Sequence, residues 1–383
     1  MIQDLLQVYQ PRKLNFGGGC LKNLPNDLQA FQLKRVLLVT LPAVLPRLQD
    51  LIGGLKKGGI EVAVDVSIRK EPTCNDFRKL LDIAKGIQPD CVLGIGGGSV
   101  MDVAKLVAAQ IKNTQSLADI MGINRLKERS ILLICSPTTS GTGSEVSPNA
   151  ILLDESDDQK KGIISPFLVP DMVYADPLLT VSLPAAMTAA TGVDALTHCI
   201  EAYANRFAHP LVDVYALEGI RLISANLVKC CRNGNDLEAR AAVSLGSLFG
   251  GICLGPVNTA AVHALAYPLG SRFHIAHGLS NALLLPHVLQ FNLPAAPERY
   301  AAIATAMGCS SSGGPELLAE AGIQHIIKMM KDCNMPLRLS ELNIPADSIA
   351  GMAEDAMRVT RLLKNNVREL QYSDAVKIYQ SAY

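Results

Sequence analysis

The stretch Cys91-Val-Leu-Gly-Ile-Gly-Gly-Gly-Ser-Val-Met-Asp102 decides the fold of the first half of the chain. A short apolar run leads into three consecutive glycines, and a helical pattern containing Asp102 and Lys105 follows. Glycines let a backbone come close to a phosphate, and a helix N-terminus offers free N–H groups and the positive end of the helix dipole. A pyrophosphate would fit against Gly97, Gly98 and Ser99. On its own, such a turn is equally well explained as a tight turn without a ligand.

Short apolar runs and amphipathic stretches alternate around this turn. We predict strands at 36–40, 60–66, 91–95 and 130–136, a helix ending near Lys57, and another helix over about 75–85. Strands that alternate with helices indicate βαβ units, because each crossover helix covers one face of a parallel sheet. The first half is therefore predicted to be an α/β domain with a parallel sheet.

The pattern of apolar residues changes beyond about Pro184. Helical periodicity rich in Ala and Leu replaces the β-branched runs, with stops at Asn233-Gly234 and Gly313-Gly314-Pro315. The length of 383 residues also exceeds the ~250–300 residues at which one hydrophobic core stops growing. We predict two domains, an α/β nucleotide-binding domain over 1–182 and an all-α metal-binding domain over 183–383.

Composition favours a compact cytoplasmic protein. The 35 basic side chains balance the 35 acidic ones, which gives no charge argument for nucleic acid or a membrane as partner. The first residues lack the pattern of a secretory signal, and no run approaches the ~18 apolar residues of a membrane span. Ten cysteines without a CxxC pair fit a reducing compartment with free, mostly buried thiols.

A second loop strengthens the nucleotide hypothesis. Pro137-Thr-Thr-Ser-Gly-Thr-Gly-Ser-Glu145 follows the strand predicted to end near Ser136. Hydroxyls and exposed amides together form a cradle for an anion or a ribose. Alone, this stretch would be interpreted as an ordinary Ser/Thr/Gly loop. After the glycine-rich turn, it favours a nucleotide site.

Two later segments predict a metal site. Asp194 and His198 are four residues apart in a helical pattern, so they project from the same face. His263, His274 and His277 follow in one short stretch. Three imidazoles and a carboxylate suit Fe²⁺, Zn²⁺ or a similar ion. Any single histidine is better explained as a partly buried polar group, but the coincidence of these residues favours a metal.

The remaining candidates near these segments are given structural interpretations. His209, His287 and His325 have no comparable neighbours in the sequence. Glu201 lies one turn beyond His198, where it would either orient a metal ligand or face solvent. We favour the solvent-facing interpretation.

Together these motifs closely resemble the iron-containing alcohol dehydrogenase family. They are, in order, Gly96-Gly-Gly-Ser-Val-Met-Asp102, the 137–145 loop, Gly192-Val-Asp-Ala-Leu-Thr-His198, and His263 through His277-Gly-Leu-Ser-Asn-Ala-Leu-Leu-Leu-Pro286. The likeness extends from Pro11 to the segment Leu362–Arg368. It implies a nucleotide-binding first domain, a helical metal domain, a cleft between them, and a homodimer.

The resemblance assigns residues to both sites. The family's metal ligands match Asp194, His198, His263 and His277 one for one. The implied cofactor-binding residues are Gly97, Gly98, Ser99, Asp102, Thr138, Thr139, Thr142 and Lys160. The implied cofactors are NAD or NADP and one divalent metal ion, with Fe²⁺ preferred and Zn²⁺ as the alternative.

The chain departs from the family pattern at two positions. Tyr267 stands where many members have a histidine that is often assigned to a proton relay. The relay therefore falls to Tyr267, to His274 or to water. Leu41 stands after the first predicted strand, where NAD-preferring relatives usually place an aspartate that accepts from the ribose. The choice between NAD and NADP stays open.

The implied activity is reversible oxidation of a small alcohol to an aldehyde or ketone, with hydride transfer to NAD(P). Asn149 and Leu254 fall where relatives line the alcohol pocket, which indicates a small, partly polar substrate. Two alternatives remain. A lyase like dehydroquinate synthase would need a dense Lys/Arg cluster, and the metal-flanking segments offer only Arg272. A nucleotide-binding protein without catalysis would bind cofactor without turnover.

Overall fold

The computed structural model describes residues 5–157 and 159–383. It contains two compact units. The first, which we call the α/β unit, comprises Tyr9–Thr139 and Gly143–Thr180. The second, the helical unit, comprises Val181–Tyr383 together with Ser140–Thr142 and residues 5–8.

A parallel sheet forms the centre of the α/β unit. The strands of this unit are β1 (Lys13–Phe16), β2 (Arg35–Thr40), β3 (Glu61–Asp65), β4 (Cys91–Gly96), β5 (Gly122–Ile123), β6 (Leu132–Pro137), β7 (Asn149–Asp154), β8 (Gln159–Ile164) and β9 (Met172–Ala175). Six of them form one sheet in the order β1-β9-β6-β4-β2-β3, and every neighbouring pair is parallel. The other three form a small sheet in the order β5-β8-β7, in which β7 and β8 are antiparallel.

Helices cover both faces of the six-stranded sheet. They are α1 (Leu24–Leu28), α2 (Gln49–Lys57), α3 (Cys74–Ile87), α4 (Gly98–Gln110) and α5 (Leu117–Ile120). Successive strand residues point to opposite faces, so Leu37 and Val39 join the core under α3 and α4, and Val36 and Leu38 join the core under α2. The chain leaves β2 toward one face and β4 toward the other. Ligands of open α/β sheets bind at such a switch point, beyond the carboxyl ends of the strands.

The predicted parallel sheet is confirmed, and its predicted strands agree with β2, β3, β4 and β6 to within two residues. Periodicity did not predict β1, β9 or the small sheet. β1 and β9 have only four residues each, and β8 opens with the polar run Gln159-Lys160-Lys161. These segments are too short or too polar to give a strand pattern.

The described residues of the helical unit share one large hydrophobic core. Its helices are α6 (Ala185–Tyr203), α7 (Pro210–Arg232), α8 (Leu237–Cys253), α9 (Ala261–Phe273), α10 (His277–Asn292), α11 (Pro297–Ala306), α12 (Pro315–Asp332), α13 (Ile349–Met357), α14 (Thr360–Leu363) and α15 (Tyr372–Ala382). The predicted stops agree with the end of α7 and the start of α12. The all-α prediction is confirmed. In the described chain, no helix is both long and apolar enough to cross a membrane.

Candidate metal centre and nucleotide-binding turn

Helix α6 positions the first two candidate metal ligands. Asp194 and His198 are both buried, with His198 Nε2 3.9 Å from Asp194 Oδ1. Polar groups at this depth must find partners, because burial without hydrogen bonds is costly. The ring of His198 finds one in the backbone, since its Nδ1 lies 3.2 Å from the Gly141 carbonyl oxygen.

The other two candidate ligands come from α9 and from the first residue of α10. His263 Nε2 and His277 Nε2 lie 3.6 Å and 3.7 Å from Asp194 Oδ1. The ligand atoms of these three residues lie within 4.8 Å of one another. The rings of His198 and His263 stack, with centroids 4.7 Å apart. The structure therefore brings all four predicted ligands together, and three imidazoles face one carboxylate oxygen.

Glycines make this convergence sterically feasible. A Cβ atom on Gly278 would lie 2.4 Å from the Ala190 carbonyl oxygen, and one on Gly250 would lie 3.2 Å from the His198 Cβ. Helix α10 can therefore approach the backbone of α6 directly after His277. A side chain at Gly278 would push the two helices apart and separate the ligands.

Glu201 supports one of the imidazoles. Its side chain is buried, Oε2 lies 2.5 Å from His263 Nδ1, and Oε1 accepts from the Val262 backbone N–H at 2.6 Å. The solvent-facing interpretation of Glu201 is wrong. Helix α6 is buried all round at this point, so the face one turn beyond His198 packs against α9 and not against water.

Asn281 is a member of the cluster that the sequence interpretation missed. Its Nδ2 lies 2.6 Å from Asp194 Oδ1, 3.1 Å from His263 Nε2 and 3.3 Å from His277 Nε2. Its Oδ1 is buried and has no hydrogen-bond partner within the described residues. The signal was available, because Asn281 follows His277 by four residues and shares its helical face.

The surroundings fix the protonation of two rings. A carbonyl or carboxylate oxygen can only accept, so Nδ1 of His198 donates to Gly141 and Nδ1 of His263 donates to Glu201. The other nitrogen of each ring, Nε2, therefore points toward Asp194 and is the atom that would bind a metal ion in place of a proton. Histidines that bind metals in this way usually donate the other ring N–H to a carboxylate or a carbonyl.

Negative charge predominates in the cluster of buried carboxylates and imidazoles. Burial opposes ionisation of Asp194, but His198 and His277 outweigh it and lower the pKa of the carboxyl. Burial lowers the pKa of His198 to about 4, whereas Glu201 and Asp194 overcome burial and raise the pKa of His263 to about 10. Two buried carboxylates thus favour an added positive charge. Together with the ligand types and the convergence of the Nε2 atoms on Asp194, this fits a divalent metal ion.

The two candidate proton-relay residues differ in position. Tyr267 lies one turn beyond His263 on α9, and its ring centroid is 6.3 Å from that of His277. Its hydroxyl accepts from Arg361 Nη2 at 3.4 Å. His274 directly follows the last residue of α9 in the left-handed conformation, with φ of 55°, and its side chain is exposed. Over the described residues, no hydrogen bond or ring contact joins His274 to the cluster.

The glycine-rich turn has the geometry expected of a close backbone approach. It connects β4 to α4, and a Cβ atom on Gly96 would lie 2.6 Å from the Val100 Cβ. Gly97, Gly98 and Ser99 are partly exposed. Within the described chain, no side chain caps the first turn of α4. Val100 N donates to the Gly97 carbonyl, which leaves the N–H groups of Gly98 and Ser99 for a ligand.

The first hydroxyl residues of the 137–145 loop lie beside this turn. Strands β4 and β6 pair in register up to Gly96 and Pro137, and Thr138 N donates to the Gly96 carbonyl at 2.9 Å. The Thr139 side chain approaches within 3.5 Å of the Cβ position of Gly97. Thr142 is partly exposed and belongs to the helical unit.

Asp102 and Lys105 tie α4 to the chain that follows the loop. Asp102 accepts from the Ser144 hydroxyl and from Ile151 N. Lys105, whose side chain is fully buried, donates to the backbone carbonyls of Ser147 at 3.0 Å and Asn149 at 2.8 Å. Asp102 is a cofactor-binding residue by family resemblance, whereas the sequence assigns no role to Lys105. In the structure both residues hold the polypeptide after the loop.

Two further charged side chains of the α/β unit are buried. The Lys160 side chain is only 4% exposed and forms an ion pair with Glu71, Nζ to Oε1 2.5 Å. Glu145, the last residue of the loop, is buried, and this burial raises its pKa to about 7.

Most of the chain matches models of one protein family. Residues 11–177 match the family model for iron-containing alcohol dehydrogenases, and residues 188–383 match the model for the C-terminal part of the Fe-containing alcohol dehydrogenase family. The chain is 36% identical to long-chain-alcohol dehydrogenase 1 of Geobacillus thermodenitrificans (strain NG80-2) over 99% of this chain and 97% of that protein. It is 34% identical to 1,3-propanediol dehydrogenase of Klebsiella pneumoniae over 96% of each chain.

A solved structure agrees over the whole length. The crystal structure of a 1,3-propanediol oxidoreductase superposes with a TM-score of 0.96 and 32% identity, and covers 99% of this chain and 100% of that one.

Proposed function

The chain belongs to the iron-containing alcohol dehydrogenase family, and from that premise we propose that it oxidises a small alcohol reversibly with NAD(P) and one divalent metal ion, Fe²⁺. Its ligands would be Asp194, His198, His263 and His277. The single observation behind this assignment is the approach of three imidazole Nε2 atoms to one buried carboxylate oxygen.

The protein's own residues would prepare this site. When bound, the metal supplies Lewis-acid polarisation of the substrate C–O bond, and the nicotinamide supplies the hydride acceptor or donor. Glu201 holds the His263 ring through Nδ1 and directs Nε2 toward Asp194. Asn281 donates to Asp194 Oδ1 and so limits the carboxylate to one orientation. Burial of these groups excludes water, which strengthens every electrostatic interaction within the cluster.

The α/β unit would bind the nucleotide at its switch point. The pyrophosphate would lie against Gly97, Gly98 and Ser99, where the first turn of α4 offers N–H groups. Thr138, Thr139, Thr142 and Lys160 are further proposed contacts, and Asp102 would act by holding the chain that follows the loop. The proposal covers both NAD and NADP.

Thr40 and Leu41 do not favour one nucleotide. The Thr40 hydroxyl donates to the Ile95 carbonyl at 2.7 Å, and Leu41 packs against the core. The end of β2 therefore presents neither a carboxylate for the ribose hydroxyl nor a cation for a 2′-phosphate.

The proposal also includes a residue for proton transfer and a class of substrate. Tyr267, beside His277, would carry the proton, and His274, on the exposed end of α9, is the weaker candidate. We propose a small, partly polar alcohol or carbonyl compound as substrate, with Asn149 and Leu254 among the lining residues by family resemblance. A cytoplasmic homodimer is proposed on the same basis.

Among the described residues, the arginines near the metal cluster do not form the dense basic group that the lyase alternative requires, since Arg361 donates to the Tyr267 hydroxyl and Arg272 is paired elsewhere. Arg272 Nε pairs with Asp355 at 2.6 Å and Arg272 Nη2 donates to the Gly351 carbonyl at 3.1 Å. Its guanidinium is thus already used within the helical unit. The relatives named above are dehydrogenases, which supports the oxidoreductase.

The test is metal analysis combined with kinetics on anaerobically purified protein. Metal content would be measured first, and short alcohols, diols and aldehydes would then be screened with NAD(H) and NADP(H) in the presence of Fe²⁺ or Zn²⁺. We expect His263→Ala and Asp194→Ala to lose bound metal and turnover together, by more than about 10³-fold in kcat/KM, or about 4 kcal/mol. Full activity in a demonstrably metal-free variant would contradict the scheme. Cofactor binding without turnover on any substrate would favour the non-catalytic alternative.

A further inference from the structure

We propose that residues 140–142 position a ligand of the metal centre and thereby couple metal binding to nucleotide binding. The proposal rests on the proposed function, because it uses the metal and nucleotide sites assigned there. The three residues lie within the 137–145 loop but belong to the helical unit, whereas the residues on either side of them belong to the α/β unit. The loop therefore contributes a short segment to the unit that contains the metal cluster.

The 140–142 segment is anchored on two helices. The Ser140 hydroxyl lies 2.7 Å from the hydroxyl of Ser244 on α8. A Cβ atom on Gly141 would lie 2.8 Å from the Thr191 Cβ and 3.1 Å from the Thr191 carbonyl oxygen, so the backbone of the segment packs directly against α6. Ser140 and Gly141 are both buried. The segment thus has a fixed place on α6 and α8.

The Gly141 carbonyl holds a candidate metal ligand. Its oxygen accepts from His198 Nδ1 at 3.2 Å. Over the described residues, no other hydrogen bond holds the His198 ring. Such a partner fixes the orientation and the tautomer of a metal-binding imidazole. If the 140–142 segment moved, the His198 ring would lose the contact that directs its Nε2 toward Asp194.

The same segment adjoins proposed nucleotide contacts. Thr139, which lies beside the glycine-rich turn, precedes the 140–142 segment, and Thr142 is its last residue. Beyond it, the Ser144 hydroxyl donates to Asp102 of α4. The carbonyl that accepts from the imidazole lies between the two threonines in the sequence. A nucleotide that fixes both threonines therefore also restricts this carbonyl.

The expected coupling is positive. Fixing the ring of a metal ligand costs conformational entropy, and a nucleotide that orders the 140–142 segment removes part of that cost before the metal binds. Coupling between two bound ligands is reciprocal, so the metal increases the affinity for the nucleotide by the same factor. We expect a factor of about five or more, as is typical of coupled sites.

Metal affinity measured with and without nucleotide tests the proposal. Zn²⁺ is the probe because it has no redox chemistry. Competition with a chromophoric chelator gives its dissociation constant for the full-length protein, alone and with saturating NADH or NADPH. Fluorescence titration of the nucleotide, with and without Zn²⁺, gives the reciprocal measurement. Each ligand should lower the dissociation constant of the other about fivefold or more.

Two serine substitutions on α8 test the anchoring of the segment. Ser244→Ala removes the hydrogen-bond partner of Ser140. It should weaken Zn²⁺ binding in the absence of nucleotide about two- to tenfold, the range of one hydrogen bond, and saturating nucleotide should restore most of this loss. Ser247 follows three residues later, and its buried hydroxyl has no hydrogen-bond partner among the described residues. Ser247→Ala is therefore the matched control and should behave like the parent.

Gly141→Ala tests the contact with the imidazole. The added Cβ would force the 140–142 segment away from Thr191 and its carbonyl away from His198. Zn²⁺ affinity should fall about tenfold or more whether or not nucleotide is bound, and the coupling should disappear. Circular dichroism would establish that this variant folds. If it does not fold, the two serine variants decide the question.

The measurements separate this proposal from the proposed function. Tight binding of Zn²⁺ and nucleotide with affinities independent of each other would refute the coupling and leave the function intact. Ser244→Ala with the Zn²⁺ affinity and coupling factor of the parent would refute the role of the 140–142 segment, because attraction between the cation and the nucleotide phosphates does not need this anchor. Folded Gly141→Ala that retains the coupling would do the same. A parent that binds neither Zn²⁺ nor nucleotide would refute the proposed function itself, and the coupling with it.

Discussion

The two units handle buried charge in opposite ways. In the helical unit, buried ionisable side chains face one another across three helices, and Asp194 is ionised because imidazoles surround it. In the α/β unit, buried charges mostly face the backbone. Lys105 donates to two carbonyls, and the burial of Glu145 favours its neutral form. The first arrangement attracts a cation, whereas the second fixes a loop and leaves the neighbouring turn open for a ligand.

Glu145→Gln tests the α/β half of this comparison and has the largest expected effect on stability. The carboxyl has an ordinary pKa of 4.5 and a folded pKa of about 7. Its contribution to stability is fully present below pH 4.5 and is lost as the pH rises through 7, because the folded state then gives up a proton that it holds more tightly than the unfolded state. The difference of about 2.5 pH units corresponds to up to about 3 kcal/mol.

Denaturant unfolding at pH 5 and pH 8, followed by circular dichroism, measures this effect. The parent should lose stability between the two pH values, and Glu145→Gln should lose less. Glu61→Gln, which changes an exposed carboxylate on β3, is the matched control and should follow the parent. Parallel pH dependence of the parent and Glu145→Gln would show that Glu145 is ionised in the folded state.

Glu201→Gln tests the helical half. Glutamine keeps the size of the side chain and an acceptor for Val262 N, but removes the charge behind His263. Loss of such a partner typically lowers metal affinity about 10- to 100-fold, or about 1.4–2.7 kcal/mol. Chelator competition measures affinity directly, without reference to turnover.

The control for this substitution is Glu218→Gln, which removes an exposed carboxylate paired with Arg221 on α7. It should leave metal affinity unchanged. If Glu201→Gln binds metal as tightly as the parent, the buried carboxylate only anchors the backbone at Val262 and its charge does not contribute to metal binding.

The features that could be predicted from the sequence are those that local patterns encode. The parallel sheet was predictable because its central strands are long apolar runs, such as 36–40 and 91–95, each followed by a helical pattern. The candidate ligands were predictable because Asp194 and His198 share one helix face and histidines are rare in the chain. Glu201 was wrongly placed toward solvent and Asn281 was given no role, because their roles depend on contacts between α6, α9 and α10 that periodicity does not encode. Residue type alone cannot separate a buried carboxylate from a solvated one.

A pair of alanine substitutions in the glycine-rich turn separates fold from ligand binding. A Cβ atom on Gly96 would lie 2.6 Å from the Val100 Cβ, so Gly96→Ala should cost about 1–3 kcal/mol of stability. A Cβ atom on Gly97 would only make ordinary contact with Thr139 at 3.5 Å. Gly97→Ala should therefore fold normally but bind NAD(H) more weakly. Thermal unfolding and isothermal titration measure the two effects, and equal nucleotide affinity in Gly97→Ala and the parent would remove the pyrophosphate from this turn.

Tyr267→Phe has the smallest expected effect and distinguishes packing from proton transfer. Phenylalanine keeps the ring beside His277 and removes only the hydroxyl that accepts from Arg361. Since water can substitute for a missing relay, we expect kcat to fall by less than the ~10²-fold typical of a positioned acid–base group. The pH profile of kcat should also change shape. Tyr267→His restores a titratable group at the same position, so it should recover rate and shift the profile again, which a packing role would not produce. Identical profiles for the parent and Tyr267→Phe would leave His274 or water as the route for the proton.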